Sequence, residues 1–263
     1  MNRYKLKAYV KHKRRAKYRK GHRIHPPFAF NLVRNIFFEK HPYYHFDEIS
    51  EVRKALLRNK ETIEVSDFGA GSKVFKSNIR QIAKIAKYNT TPQKQGELIS
   101  RLVCHLKPNN IVELGTSLGI GTLYLAKPNS KANIHTIEGC PAIAKAAQNT
   151  FAQSKVKNIT QHIGSFKEEL PKVLNKLDKV DLVYFDGHHN YEATANYFKM
   201  CLPHANESAL FIFDDINWSK EMTKAWNEII AHNEVSVSFD LFRFGLAFIN
   251  MNVRKQHYKV SWP

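Results

Sequence analysis

Two groups of residues have the types and spacing for chemistry. The first is built on glycine loops. Glu113-Leu-Gly115-Thr116-Ser117-Leu-Gly119-Ile-Gly121-Thr122 closes an apolar run and opens a helical one. Its glycines fall four and then two apart, which is not the GxGxxG of a dinucleotide site. The free N–H groups at the helix start suit a carboxylate or another anion. Glu138 ends the next apolar run, 25 residues after Glu113. An acid at that offset can accept both hydroxyls of a ribose. Gly164-Ser165-Phe166 ends the third run and could hold an adenine between a hydroxyl and an aromatic face.

The second group is acidic. Asp186 and the pair Asp214-Asp215 end two further apolar runs, 28 residues apart. Three hard oxygens converging there could hold Mg²⁺, which takes carboxylates and waters. His188 and His189 follow Asp186. Imidazole near its ordinary pKa can take a proton from a hydroxyl at neutral pH. His189 is therefore a candidate general base or a further metal ligand. Tyr191 and Trp218 follow the two acid loops and could wall an acceptor pocket, although packing alone would also place aromatics there.

These residues need a scaffold that brings strand ends together. The apolar runs at 110–115, 132–139, 158–164, 181–187 and 209–215 alternate with helical stretches such as AIAKAAQNTFAQ and YEATANYFKMCL. That alternation predicts a doubly wound parallel α/β sheet. Two last strands, EVSVSFDLFRF and GLAFINM, are joined tightly at Phe244-Gly245 and predict an antiparallel ending. The expected fold is a Rossmann-like, mostly parallel seven-stranded sheet with an antiparallel C-terminal strand. An N-terminal helical extension, residues 1–60, precedes a domain over 61–263. Within the extension, FAFNLVRNIFF and FDEISEVRKALLRN read as helical. Ser77–Tyr88 reads as a helix, and Thr91-Pro92 opens another.

S-adenosylmethionine fits a ligand with a carboxylate end, a ribose and an adenine but no pyrophosphate. ELGTSLG, IEG, GSF, DLVYFDGHHNYE and LFIFDD resemble the class I S-adenosylmethionine-dependent methyltransferases, and among them the catechol and caffeoyl-CoA O-methyltransferase branch. The helix opened by TPQKQGEL resembles that branch too. The basic start, HPPFAFNLV and DFGAGS resemble uncharacterised bacterial methyltransferases. The resemblance covers residues 90–250 for motifs of known role. It implies that Gly115, Thr116, Ser117, Gly119 and Gly121 cradle the methionine end, with Glu113 buttressing the loop. It further implies Glu138 on ribose, Gly164, Ser165 and Phe166 around adenine, and Asp186 beneath the reactive methyl. In the branch, the acid positions are Asp, Asp and Asn and bind a divalent cation. Here Asp186, Asp214 and Asp215 occupy them, and His189 stands where the branch has a catalytic lysine. The implied reaction is O-methylation of a small hydroxyl-bearing acceptor. Relatives in the branch often form homodimers.

Asp67-Phe-Gly69-Ala-Gly71-Ser72 is a rival glycine loop. Helical KSNIRQIAKIAKY follows it instead of a strand ending in an acid, so a turn before a helix, or a lid, fits better than a cofactor loop.

The chain has 263 residues and a formal charge of +18. Residues 1–38 hold 12 Lys/Arg and no acid, which leaves +6 for the remainder. Such an arm could meet nucleic acid or an anionic membrane surface through residues 1–25. An RNA methyltransferase is thus the alternative reading, and a non-catalytic binding module a third. Against the RNA reading, no NPPY- or DPPY-type tetrapeptide follows the fourth run. No apolar run reaches the ~20 residues of a membrane span. Three cysteines without a CxxC pair fit a reducing cytoplasm.

Overall fold

The computed structural model describes residues 3–66 and 77–262. The DFGAGS loop lies outside them. The chain opens with helix α1 (Arg3–Arg15) and α2 (Pro27–Asn31), which runs on as a π-helical stretch over Leu32–Phe37. Then come α3 (Tyr44–Arg58), β1 (Thr62–Glu64), β2 (Ile79–Gln81), α4 (Ile82–Tyr88) and α5 (Gln93–Leu106). The alternating part follows as β3 (Asn110–Leu114), α6 (Ile120–Ala126), β4 (Asn133–Glu138), α7 (Pro141–Gln153), β5 (Ile159–Ile163) and α8 (Phe166–Lys176). It continues as β6 (Val180–Phe185), α9 (Tyr191–Cys201), β7 (Ala205–Phe213) and α10 (Lys220–Ala231). Strands β8 (Val235–Asp240), β9 (Gly245–Ile249) and β10 (Gln256–Lys259) close it.

The chain divides into two compact units, residues 41–177 and residues 1–40 with 178–263. In the first, β3, β4 and β5 are parallel neighbours in that order. Ile111, Val112, Glu113 and Leu114 of β3 are all buried, the pattern of a strand covered on both faces. Gly119 caps the start of helix α6, and its φ of 83° is left-handed. A Cβ there would meet the Phe151 ring at 2.5 Å, so the turn needs glycine twice over.

In the second unit the order is β10-β8-β9-β7-β6. Strands β6 and β7 are parallel, and β9 is antiparallel to both β7 and β8. The buried rings of Phe211, Phe213, Phe239, Phe244 and Phe248 fill its core. Asn190 and Ser219 cap α9 and α10 with their side chains.

The mostly parallel α/β plan and the antiparallel ending match the sequence reading. Two local expectations are corrected. Residues 77–88 are not one helix: Ile79–Gln81 pairs antiparallel with Thr62–Glu64, and the helix starts at Ile82. The apolar spacing of the segment masked a three-residue strand whose partner lies 17 residues upstream. Beyond the seven expected strands, Gln256–Lys259 adds a parallel edge strand beside β8. No described helix is long and apolar enough to cross a membrane.

Candidate functional site

In the 41–177 unit, the glycine loop is wired to the ends of β3 and β4. Glu113 is fully buried, and its Oε2 accepts from Thr122 Oγ1 at 2.5 Å and Thr136 Oγ1 at 2.7 Å. Oε1 has no hydrogen-bond partner among the described residues. Burial pushes the Glu113 carboxyl up to about 7, against the lowering effect of the two threonines. Gly115 and Thr116 donate their N–H groups to the Ile137 carbonyl. Ser117 follows with a left-handed φ of 48°. That turn aims its N–H at Glu138 Oε2, 2.9 Å away.

Glu138 is the hub. Its second oxygen accepts from the Cys140 N–H at 3.0 Å, and its carbonyl accepts from the Gly164 N–H at 3.0 Å. One residue thus ties together the three loops after β3, β4 and β5. Ser165 lies at the start of α8, where its Oγ accepts from the Glu168 N–H and donates to the Glu168 carboxylate at 2.9 Å. Phe166 is buried. Gly121 and Thr122 are buried in the first turn of α6.

In the other unit, the ends of β6 and β7 bring Asp186, His189 and Asp214 together. One ligand atom from each lies within 4.8 Å of the others. Tyr184 donates to Asp186 Oδ2 at 3.0 Å, and His189 Nε2 stands 3.9 Å from Asp186 Oδ1. Asp214 is buried, and its Oδ1 has no hydrogen-bond partner among the described residues. Burial, and then the negative charge of Asp215, raise the Asp214 carboxyl above the usual range.

The trio differs from the expected metal set in one member. Asp215, with a left-handed φ of 50°, turns its carboxylate to Arg243 Nε at 3.3 Å and Lys5 Nζ at 3.7 Å. Burial works against the Arg243 charge, but Asp215, Asp214 and Asp186 outweigh it and hold its pKa above the ordinary value. Lys5 also lies over the Trp218 ring, 4.2 Å from its centroid. His188 is bonded through Nδ1 to the Tyr197 hydroxyl at 3.1 Å, and Tyr191 donates to Glu228 at 2.7 Å.

Sequence reasoning missed Thr122, Thr136, Lys5 and Arg243. Thr122 had a signal, since its position in the first turn of α6 overhangs β3. Lys5 and Arg243 had none, because their partner Asp215 is far from them in sequence.

Residues 112–216 match the family model of a methyltransferase domain. That span runs from the glycine loop to the second acid loop. Over these residues the chain is similar to a methyltransferase domain. The chain is 32% identical over 132 residues to an uncharacterised protein of Acanthamoeba polyphaga mimivirus, a match covering 46% of this chain and 58% of that one. The methyltransferase fold is also that of an O-methyltransferase from Bacillus cereus solved with S-adenosylhomocysteine. The TM-score is 0.57 at 18% identity, over 83% of this chain and 96% of that one. An O-methyltransferase of tomaymycin synthesis from Streptomyces achromogenes, solved with S-adenosylmethionine, aligns with a TM-score of 0.51 at 20% identity. It covers 61% of this chain and 81% of that one.

Proposed function

We propose that the protein methylates a hydroxyl of a small acceptor with S-adenosylmethionine, aided by a divalent cation. The observation that carries the cofactor is Glu138, whose carboxylate is fixed by two backbone N–H groups at the end of β4. The reading assigns the ribose to Glu138 and the methionine end to Gly115, Thr116, Ser117, Gly119 and Gly121. Glu113 buttresses that loop. The adenine falls to Gly164, Ser165 and Phe166, with the Ser165 N–H as donor because its hydroxyl is committed to the α8 cap. The catalytic domain spans 61–263, with 1–60 as its extension.

Two carboxylates and an imidazole, one carboxylate buried with an unpartnered oxygen, suit a divalent cation. Asp186, Asp214 and His189 would hold it, and Asp215 would set its field through Arg243 and Lys5. When bound, the cation would lower the pKa of an acceptor hydroxyl. S-adenosylmethionine supplies an electrophilic methyl for in-line displacement by the acceptor oxygen. The chain's part is alignment of the two reactants and removal of the hydroxyl proton. Without a cation, His189 is the base that takes that proton.

The test is methyl-labelled S-adenosylmethionine offered with catechols and other vicinal diols, with Mg²⁺ or with chelator. Label transferred to oxygen and suppressed by chelator supports the reading. Transfer to RNA, with none to diols, would replace it.

A further inference from the structure

Helix α1 has two faces. Its inner face packs on the 178–263 part of its own unit: Tyr4 donates to Thr223 Oγ1, Lys5 meets Asp215, and Tyr9 stands edge-on to Phe242. His12 closes the row, buried 3.2 Å from Asp240. Positions 5, 9 and 12 follow the helical repeat, so the opposite face must turn outward. That face holds a groove lined by Leu6, Lys7, Val10, Lys11, Arg14 and Arg15. Leu6 is 48% exposed and Val10 41%, one turn apart. The helix has no acid in its first turn, and its last turn is wholly basic.

We infer that the outer face of α1 docks the protein on an anionic lipid membrane. The cations match the charge of phosphatidylserine-type headgroups, and each adds about fivefold to binding near such a surface. The two aliphatic side chains in the same groove decide between phosphate-bearing partners. A lipid boundary buries them, whereas a nucleic-acid backbone leaves them in water. The groove lining has no aromatic on which a base would stack. The docking of the inner face presents the groove as a fixed feature of the unit. The inference is independent of the acceptor and of the cation.

The test is co-sedimentation of the full chain with phosphatidylcholine vesicles, with and without phosphatidylserine, in a salt series. Binding should require phosphatidylserine and fall with salt. K7E/K11E/R14E should weaken it by at least ~100-fold. L6S/V10S should weaken it about tenfold at unchanged charge. Thermal unfolding checks that both variants fold, and the wild-type comparison stands without them. Equal binding to both vesicles, or no binding, would overturn the inference. So would single-stranded RNA bound as tightly as the anionic vesicles and unaffected by L6S/V10S.

Discussion

Glu113 spends its side chain inside the fold, held by Thr122 and Thr136 and raised to about 7 by burial. A carboxyl that holds its proton more tightly when folded than unfolded costs stability as pH rises from the unfolded value, near 4.5, through the folded one. Folding stability should therefore fall between about pH 4.5 and 7 and level off above. Glu113→Gln should remove that slope and match or exceed the wild type at pH 8, as read by denaturant unfolding at several pH values. A slope of the same size in the variant would show that another group carries it. Asp214 is its counterpart at the proposed cation site. Asp214→Asn should keep the fold and abolish Mn²⁺ binding, measured by titration calorimetry; undiminished Mn²⁺ binding would remove Asp214 from the site.

At the scale of elements, turns do the positioning. Gly119→Ala would put a Cβ 2.5 Å from Phe151 and strain a left-handed φ. It should lower stability by about 1–3 kcal/mol and weaken cofactor binding, both visible in a thermal shift with S-adenosylhomocysteine. Ser165→Ala should cost about 1 kcal/mol through the lost α8 cap and change cofactor affinity little. A large affinity loss without a stability loss would return the Ser165 hydroxyl to the ligand.

The βα turns were legible in sequence because a strand end followed by a helix start fixes which residues face the crevice. That is why Gly115, Glu138 and Asp186 could be placed at strand ends from the sequence, while the ligand roles given to them rest on the family resemblance. The π-helical stretch after α2, the β1–β2 pair and the Lys5–Asp215–Arg243 contacts were not legible. The last two depend on partners outside the local sequence window, and local periodicity carries no record of them.

For the whole molecule, 12 of the 18 net positive charges lie on residues 1–38, and Lys5 of α1 meets Asp215 of the strand-end cluster. The arm of residues 1–38 reads in sequence as an appendage, yet α1 is docked on its unit through Tyr4, Lys5, Tyr9 and His12. Deleting residues 1–24 uncovers Phe242 and takes His12 from Asp240. The loss, on the order of 2–3 kcal/mol, should lower the melting temperature by about 5–10 °C. Cofactor affinity should survive, since the glycine loop and Glu138 belong to the other unit.

The strand ends around Glu138 are proposed to bind S-adenosylmethionine. Titration calorimetry with that ligand on the wild type and on Glu138→Gln puts this to the test. The amide of glutamine turns a donor toward one of the two N–H groups and loses the charge that a ribose diol prefers. One-to-one saturable binding is expected for the wild type, weakened at least tenfold in a variant that melts cooperatively. No binding to the folded wild type, or equal affinity in the two proteins, would show that Glu138 does not hold this ligand.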